Sequence, residues 1–247
     1  MRPLGHTPFR RLARWALALL LLPPLLLLGS VEALYRYGLS RVGELPRAPP
    51  PRTDFASQVL WASVEEGPLR LQPLWPWTLV DDFVQTWRHR QHGRRSAGSW
   101  MSGDVARRWL ASRPRPERAP MLNWHLHGFA LSVWISRHWT AEEVMAAYAE
   151  SASFGRGHIG LDAAARSYFG KEPTRLALHE TALLAGLTQA PARYDPLCRP
   201  EAALARREVV LSRLQALGWI SEAQREEARQ QPLLPPSSSA ATTSGCE

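Results

Sequence analysis

The chain has 247 residues. Once a membrane segment and tails are set aside, that is enough for one domain with a proper hydrophobic core and too little for a second catalytic domain. The 30 basic residues against 22 acidic give a net charge of +8, and Lys171 is the only lysine, so the positive charge is nearly all guanidinium; guanidinium forks suit phosphate, but biased codon usage gives the same richness, so charge excludes little.

Residues Trp15 to Val31 form a 17-residue run without a charge, at the lower limit of the roughly 17–25 residues that span a bilayer. Arg2, Arg10, Arg11 and Arg14 precede it, so the positive-inside bias keeps the N-terminus cytoplasmic and places the rest of the chain on the far side. Pro23 and Pro24 interrupt the run, and Trp15 to Leu22 alone would serve as the core of a cleavable signal peptide. Leucines resume after the prolines, which favours an uncleaved signal anchor. Leu45 to Arg52 is Pro-rich and reads as an extended spacer. The expected organisation is a basic cytoplasmic segment over 1–14, a membrane anchor over 15–36, a linker over 37–53, a folded domain over 54–232 and a tail over 233–247. The tail, with PPSSSAATTSG, has little to bury. Two cysteines, Cys198 and Cys246, are too few for a disulfide scaffold; a bridge between them is possible outside the cytoplasm, but Cys246 lies in this tail, so Cys198 is expected to stay unpaired.

Within 54–232 the pattern is helical. Thr140 with Glu143, and Ser221 with Gln224, are capping boxes. Leu204, Leu211, Leu214 and Leu217 recur at helical spacing, with Gly218 placed to end that helix. Between the boxes lies Phe154-Gly155-Arg156-Gly157-His158-Ile159-Gly160, a glycine-punctuated loop where small residues let backbone approach a ligand or another helix. It satisfies G-x-G-x-x-G, but a dinucleotide fingerprint follows a strand and this loop follows a capped helix. His125 with His127, and His89 with His92, lack acidic or cysteine partners at ligand spacing, which argues against a metal site. Several of the many tryptophans suit a membrane interface, while Trp134, in an apolar helix, reads as buried. Glu180 on an Ala- and Leu-rich helix needs a partner such as Arg193 to be tolerated.

The stretch from His138 to Leu233 is similar, nearly position for position, to the C-terminal half of family 51 glycosyltransferases, the peptidoglycan polymerases found alone or as the first domain of penicillin-binding proteins. The resemblance thins towards the N-terminus. The family's first motif, E-D-x-x-F-x-x-H-x-G-x-D, falls on Glu65 to Pro76: Glu65 matches the catalytic glutamate, Glu66 replaces aspartate, and Leu69, Gln72, Leu74 and Pro76 replace Phe, His, Gly and Asp. In the second motif Ser99 and the hydroxyl of Ser102 are kept, Gly103 and Asp104 replace two glutamines, and Arg107 replaces the lysine used toward substrate phosphate. In the third, Trp124 and His125 stand on a basic pair and Gly128 on a second glutamate, with Ser136 on a later one. In the fourth, Ala146 and Glu150 replace Glu and Asn.

The resemblance implies a mainly α, lysozyme-like helical glycosyltransferase domain with one N-terminal membrane helix, on the outer side of a bacterial inner membrane. It implies polymerisation of glycan strands from a lipid-linked disaccharide pyrophosphate, with Glu65 as catalytic base and Ser99, Ser102, Arg107, Arg156 and Gly157 toward substrate. The expected partners are that precursor, the growing glycan chain, the membrane and other cell-wall synthesis proteins, and not nucleic acid. The family makes a divalent cation possible as cofactor. The lost residues leave a second reading, a degenerate relative that binds lipid-linked precursor or acts as a scaffold in wall assembly. On the enzyme reading Glu65 is expected to face a groove shared with Arg107 and the 155–160 loop, which separates it from the second reading, although Glu65 and Arg107 can equally be solvated charges and Ser99 and Ser102 helix caps.

Overall fold

The computed structural model describes residues 7–65, 68–88, 96–114 and 121–235. Glu66, His89, His92 and Cys246, named above, lie outside them. Among the described residues ten α-helices follow in order: α1 (Thr7–Ser40), α2 (Phe55–Val64), α3 (Pro76–Arg88), α4 (Ser99–Ala111), α5 (Met121–His138), α6 (Ala141–Ser151), α7 (Leu161–Phe169), α8 (Leu178–Leu187), α9 (Pro200–Ala216) and α10 (Glu222–Gln230). Among the described residues the only β pairing is an isolated bridge between Ser153 and Ile159, so the domain is helical as expected.

The core is built on α2 and α8, whose sequences are apolar nearly all round, the mark of a helix enclosed by others. Val59 to Ala62 on α2 and Ala182 to Leu187 on α8 are all buried, and α2 packs against α6, α8 and α9 while α8 packs against α9. Asp54 starts α2 by accepting from the Ser57 amide (3.0 Å) and hydroxyl (2.9 Å). Both capping boxes form as the sequence suggests, at Thr140 and Ser221. Leu211 and Leu214 are buried on α9, whereas Leu204 faces outward. Arg207 of α9 is buried and donates to the carbonyls of Arg229, Gln231 and Pro232 (2.9–3.1 Å), satisfying the orphan acceptors where α10 ends.

Glu180 is buried, and its partner is Lys171, at 2.7 and 2.9 Å, rather than Arg193; it also accepts from the Ala177 amide (2.8 Å). The sole lysine thus neutralises a buried carboxylate at the start of α8, where a negative charge also suits the helix dipole. Trp134 is only partly buried, and Trp61 and Trp139 are the enclosed tryptophans. Cys198 is not a free thiol, which corrects the expectation that it stays unpaired.

α1 continues through Pro23 and Pro24 to Ser40, beyond the limit expected at residue 36. Residues Arg14–Ser40 are long and apolar enough to cross a membrane. The last turns of this helix pack against α5 and α3. Gly38 permits the approach, since a Cβ there would sit 2.9 Å from the Ala130 Cβ and 3.1 Å from Leu126. Tyr35 is buried in the same contact. The Pro-rich segment lies along the domain instead of standing free: Pro46 is buried, and Arg52 binds Asp54 (3.0 Å) and Asp162 at the start of α7 (2.6 Å).

Candidate functional site

Glu65 terminates α2, and its side chain is 6% exposed. Its carboxylate accepts from the amides of Gly98 (Oε2, 3.1 Å) and Met101 (Oε1, 2.8 Å). These amides belong to the start of α4, where Gly98 has φ +76° and offers no side-chain cap. Glu65 therefore does from across the fold what an N-cap side chain does locally, and its charge is well placed at a helix N-terminus. The two serines do not cap α4: the buried Ser102 hydroxyl donates back to the Gly98 carbonyl (2.7 Å), and Ser99 is the first helical residue. Behind Glu65, Arg213 of α9 donates to its carbonyl oxygen and Gln189 donates to the Ser63 carbonyl (3.3 Å), closing the C-terminus of α2.

Arg107 is more than half exposed and pairs with Asp104 (3.0 Å). Its neighbour Arg108 reaches farther inward. It donates to Asp104 (2.5 Å) and to the Ser151 carbonyl (3.2 Å), and its guanidinium lies 5.7 Å from the centroid of the Tyr148 ring. The Arg107-Arg108 pair is visible in the sequence, but motif matching points to Arg107 alone.

The 153–160 loop folds back on itself. The amide of Phe154 donates to the His158 carbonyl, that of His158 to the Gly155 carbonyl, and that of Gly160 to the Ala152 carbonyl, each at 2.9 Å. Gly155, Arg156, Gly157 and Gly160 all have positive φ, the left-handed region that glycine enters without strain. At Gly160 the constraint is double, because a Cβ would also lie 3.1 Å from the Glu150 carbonyl oxygen. The Tyr168 hydroxyl donates to the Phe154 carbonyl (3.0 Å); burial, helped by Asp195 and opposed by Arg156, pushes that phenol up to about 12, so it stays a donor at neutral pH. Arg156, a non-glycine residue at φ +51°, donates to Asp195 (3.0 Å). Together with Ser153, Gly155, Gly157 and Pro191 this pair lines an open pocket of about 660 Å³.

The structure thus brings Arg156 and Gly157 together at one pocket, and Glu65, Ser99 and Ser102 together at the start of α4. Glu65 and Arg107 are not among the residues that line the loop pocket. Gly128 is a helical position on α5 where a Cβ would meet only Leu110, at 3.9 Å, and Ser136 is buried, accepting from the Leu74 amide (3.0 Å) and donating to the Val133 carbonyl (2.7 Å).

A divalent cation would need carboxylate oxygens open to it. Asp195 accepts from Arg156 and from the amides of Leu197 and Cys198, and Glu65 from two amides. Among the described residues no group of three or more His, Cys, Asp or Glu is placed to hold a metal. Among the described residues, the carboxylates near the site are thus already engaged and do not fit such an ion.

Residues 83–215, more than half of the chain, match the Transglycosylase family. The chain is 44% identical over 103 residues to penicillin-binding protein 1A of Aquifex aeolicus, covering 42% of this chain and 14% of that protein. It is 36% identical over 138 residues to penicillin-binding protein 1A of Escherichia coli, covering 56% and 16%. The crystal structure of penicillin-binding protein 1A from Haemophilus influenzae overlaps 53% of this chain and 16% of its own, at 26% identity and a TM-score of 0.34. The chain therefore spans a small part of these relatives, and on the strength of the matched segment it belongs to the transglycosylase family.

Proposed function

We propose that this chain acts in peptidoglycan synthesis as a membrane-anchored glycosyltransferase, lengthening glycan strands from a lipid-linked disaccharide pyrophosphate on the outer face of the membrane. The observation that supports the reading is the open pocket beside the 153–160 loop, inside the segment that matches the family, where Arg156 and its partner Asp195 stand among glycine backbone. Glu65 is the proposed base. It would take the proton from a sugar hydroxyl as that oxygen bonds to the anomeric carbon, and the bond to the lipid pyrophosphate breaks with its electrons going to phosphate. Arg156 and Arg107, with Ser99 and the Gly157 backbone toward substrate, are proposed to take up the leaving charge, while Ser102, buried against the Gly98 carbonyl, holds the start of α4. For this, Glu65 must exchange a main-chain amide for the sugar hydroxyl.

The surface supports apposition to a bilayer. On α3, Val80, Phe83, Val84 and Trp87 share one face by helical spacing, and Phe83 and Trp87 are 72% and 74% exposed. The arginines before Trp15 orient the anchor with its N-terminus in the cytoplasm.

A second reading, a non-catalytic relative that binds the lipid-linked precursor, is favoured by one specific observation: both oxygens of Glu65 are already engaged in holding α4. Polymerisation of purified lipid-linked disaccharide by the full-length chain beside Glu65→Gln separates the two. Strand formation that the variant loses supports the enzyme. Background product from both, with retained binding of the precursor, selects the binding protein.

A further inference from the structure

At the junction of anchor and domain lies a second pocket, of about 410 Å³, unrelated to the loop site. It is lined by Glu32, Tyr35, Arg36 and Leu39 of α1, by Trp75 before α3, and by Arg137 and His138 at the end of α5. Arg137 forms its floor. The guanidinium is sandwiched between the rings of Tyr35 (4.4 Å) and Trp75 (4.3 Å), and donates to the Leu74 carbonyl (2.9 Å) and to Glu32 (3.1 Å). Trp75 in turn stacks on Trp77 at 5.5 Å, and both indoles are partly open to solvent.

The charges at the mouth are unequal. Glu32 is shared by Arg36 and Arg137, so two guanidinium groups face one carboxylate. Arg36 is 76% exposed and gives only its Nε to Glu32 (3.1 Å); among the described residues its terminal amino groups have no partner. His138 donates Nδ1–H to the Trp134 carbonyl (2.8 Å), so in the neutral ring Nε2 is an acceptor and the unused donors at the mouth are those of Arg36. One excess positive charge with unused donors is suited to a phosphate diester.

Depth selects the source of that phosphate. The uncharged run of α1 ends at Val31, and Arg36 lies five residues on, about 7.5 Å along a helix that rises ~1.5 Å per residue. The headgroup layer on each side of a bilayer is roughly 5–8 Å thick. Arg36 and the Trp75–Trp77 pair therefore stand at headgroup level, while Leu25 to Leu27 below are exposed where acyl chains would run. We propose that this pocket binds the phosphate of an anionic glycerophospholipid of the outer leaflet, its chains lying along α1. An ammonium-bearing headgroup is disfavoured because it would meet Arg36.

The inference rests on α1 spanning the membrane, and the test separates the two. Full-length protein is reconstituted in vesicles holding equal phosphatidylglycerol and phosphatidylcholine, floated, released in mild detergent, and its retained lipid counted by native mass spectrometry. Wild type is expected to keep phosphatidylglycerol over phosphatidylcholine. Arg36→Gln, exposed and remote from the core, is expected to reduce that preference about tenfold, the loss of one charge-assisted contact. Arg41→Gln, which removes an exposed charge outside the pocket, should leave it unchanged; the basic N-terminal segment is identical in all three. No preference in wild type, or equal loss from both variants, overturns the headgroup site while the anchor stands. Failure to float with the vesicles overturns the anchor and the site together.

Discussion

Glu65 shows how one carboxylate can carry two meanings. The family motif gives it to chemistry, and the geometry gives it to the start of α4. The amide of glutamine offers one acceptor where the two buried donors need two. Leaving one buried amide unmatched costs about 1–3 kcal/mol, which for a domain of this size lowers Tm by roughly 3–9 °C. Glu65→Gln is therefore expected to melt lower than wild type, measured by circular dichroism in detergent, and activity comparisons need this correction. A melting point unchanged within a degree would show that the cap contributes nothing and that Glu65 is held ready for another partner. Gly128 is the opposite case, an absence with room to spare. A Cβ there meets only Leu110 at ordinary contact distance, and replacing an interior helical glycine gains about 0.5–1 kcal/mol from backbone entropy. Gly128→Glu is expected to fold with equal or higher Tm, so polymerisation by that variant asks whether the missing second carboxylate limits the chain. A fall of several degrees would mean that α5 uses the glycine for packing.

At the scale of elements, the parts legible in the sequence are those set by local rules. Both capping boxes, the stop at Gly218 and the helical character of 138–233 depend on contacts three or four residues apart. The illegible parts depend on distant ones. Glu65 and Met101 are brought together only by the fold, and so are Lys171 with the start of α8 and Arg137 with the end of the anchor; neither periodicity nor motif spacing encodes such pairs. The loop pocket was visible as glycines and one arginine, but not its Asp195. Element ends also predict a pH response. At the head of α2, burial alone raises the Asp54 carboxyl, but the Arg52 guanidinium and the Ser57 amide and hydroxyl outweigh it and hold it below its ordinary value. A carboxyl depressed in the folded state adds stability above the unfolded value of about 3.9, and this is lost as pH falls through the folded value. Asn caps a helix nearly as well as Asp, so Asp54→Asn should lose less stability than wild type on acidification below about pH 4, followed as Tm against pH. Parallel curves for the two proteins would remove Asp54 from the acid response.

For the whole molecule, if α1 crosses the bilayer as proposed, the relation of domain to bilayer is set by how firmly α1 joins α5. A free tether would let the domain swing, and both active-site and headgroup readings need it held. The junction has a small-residue crossing at Gly38 and Ala130, a buried tyrosine, and Arg137 with its side chain 7% exposed between two rings. Removing Arg137 deletes the bond to Leu74, the pair with Glu32 and both ring contacts at once. Because Glu32 is partly exposed, the ion pair by itself counts for less than a fully buried one. Arg137→Ala is accordingly expected to cost about 2–4 kcal/mol, and Glu32→Ala roughly 1–2 kcal/mol. The double variant should cost less than the sum, since the two share one contact. Thermal unfolding of the four proteins in the same detergent measures that coupling. Additive losses would mean that Glu32 and Arg137 act separately, and losses under about 0.5 kcal/mol from each, the range of ordinary surface changes, would make the anchor a tether, leaving the domain's distance from the lipid surface to α3 alone.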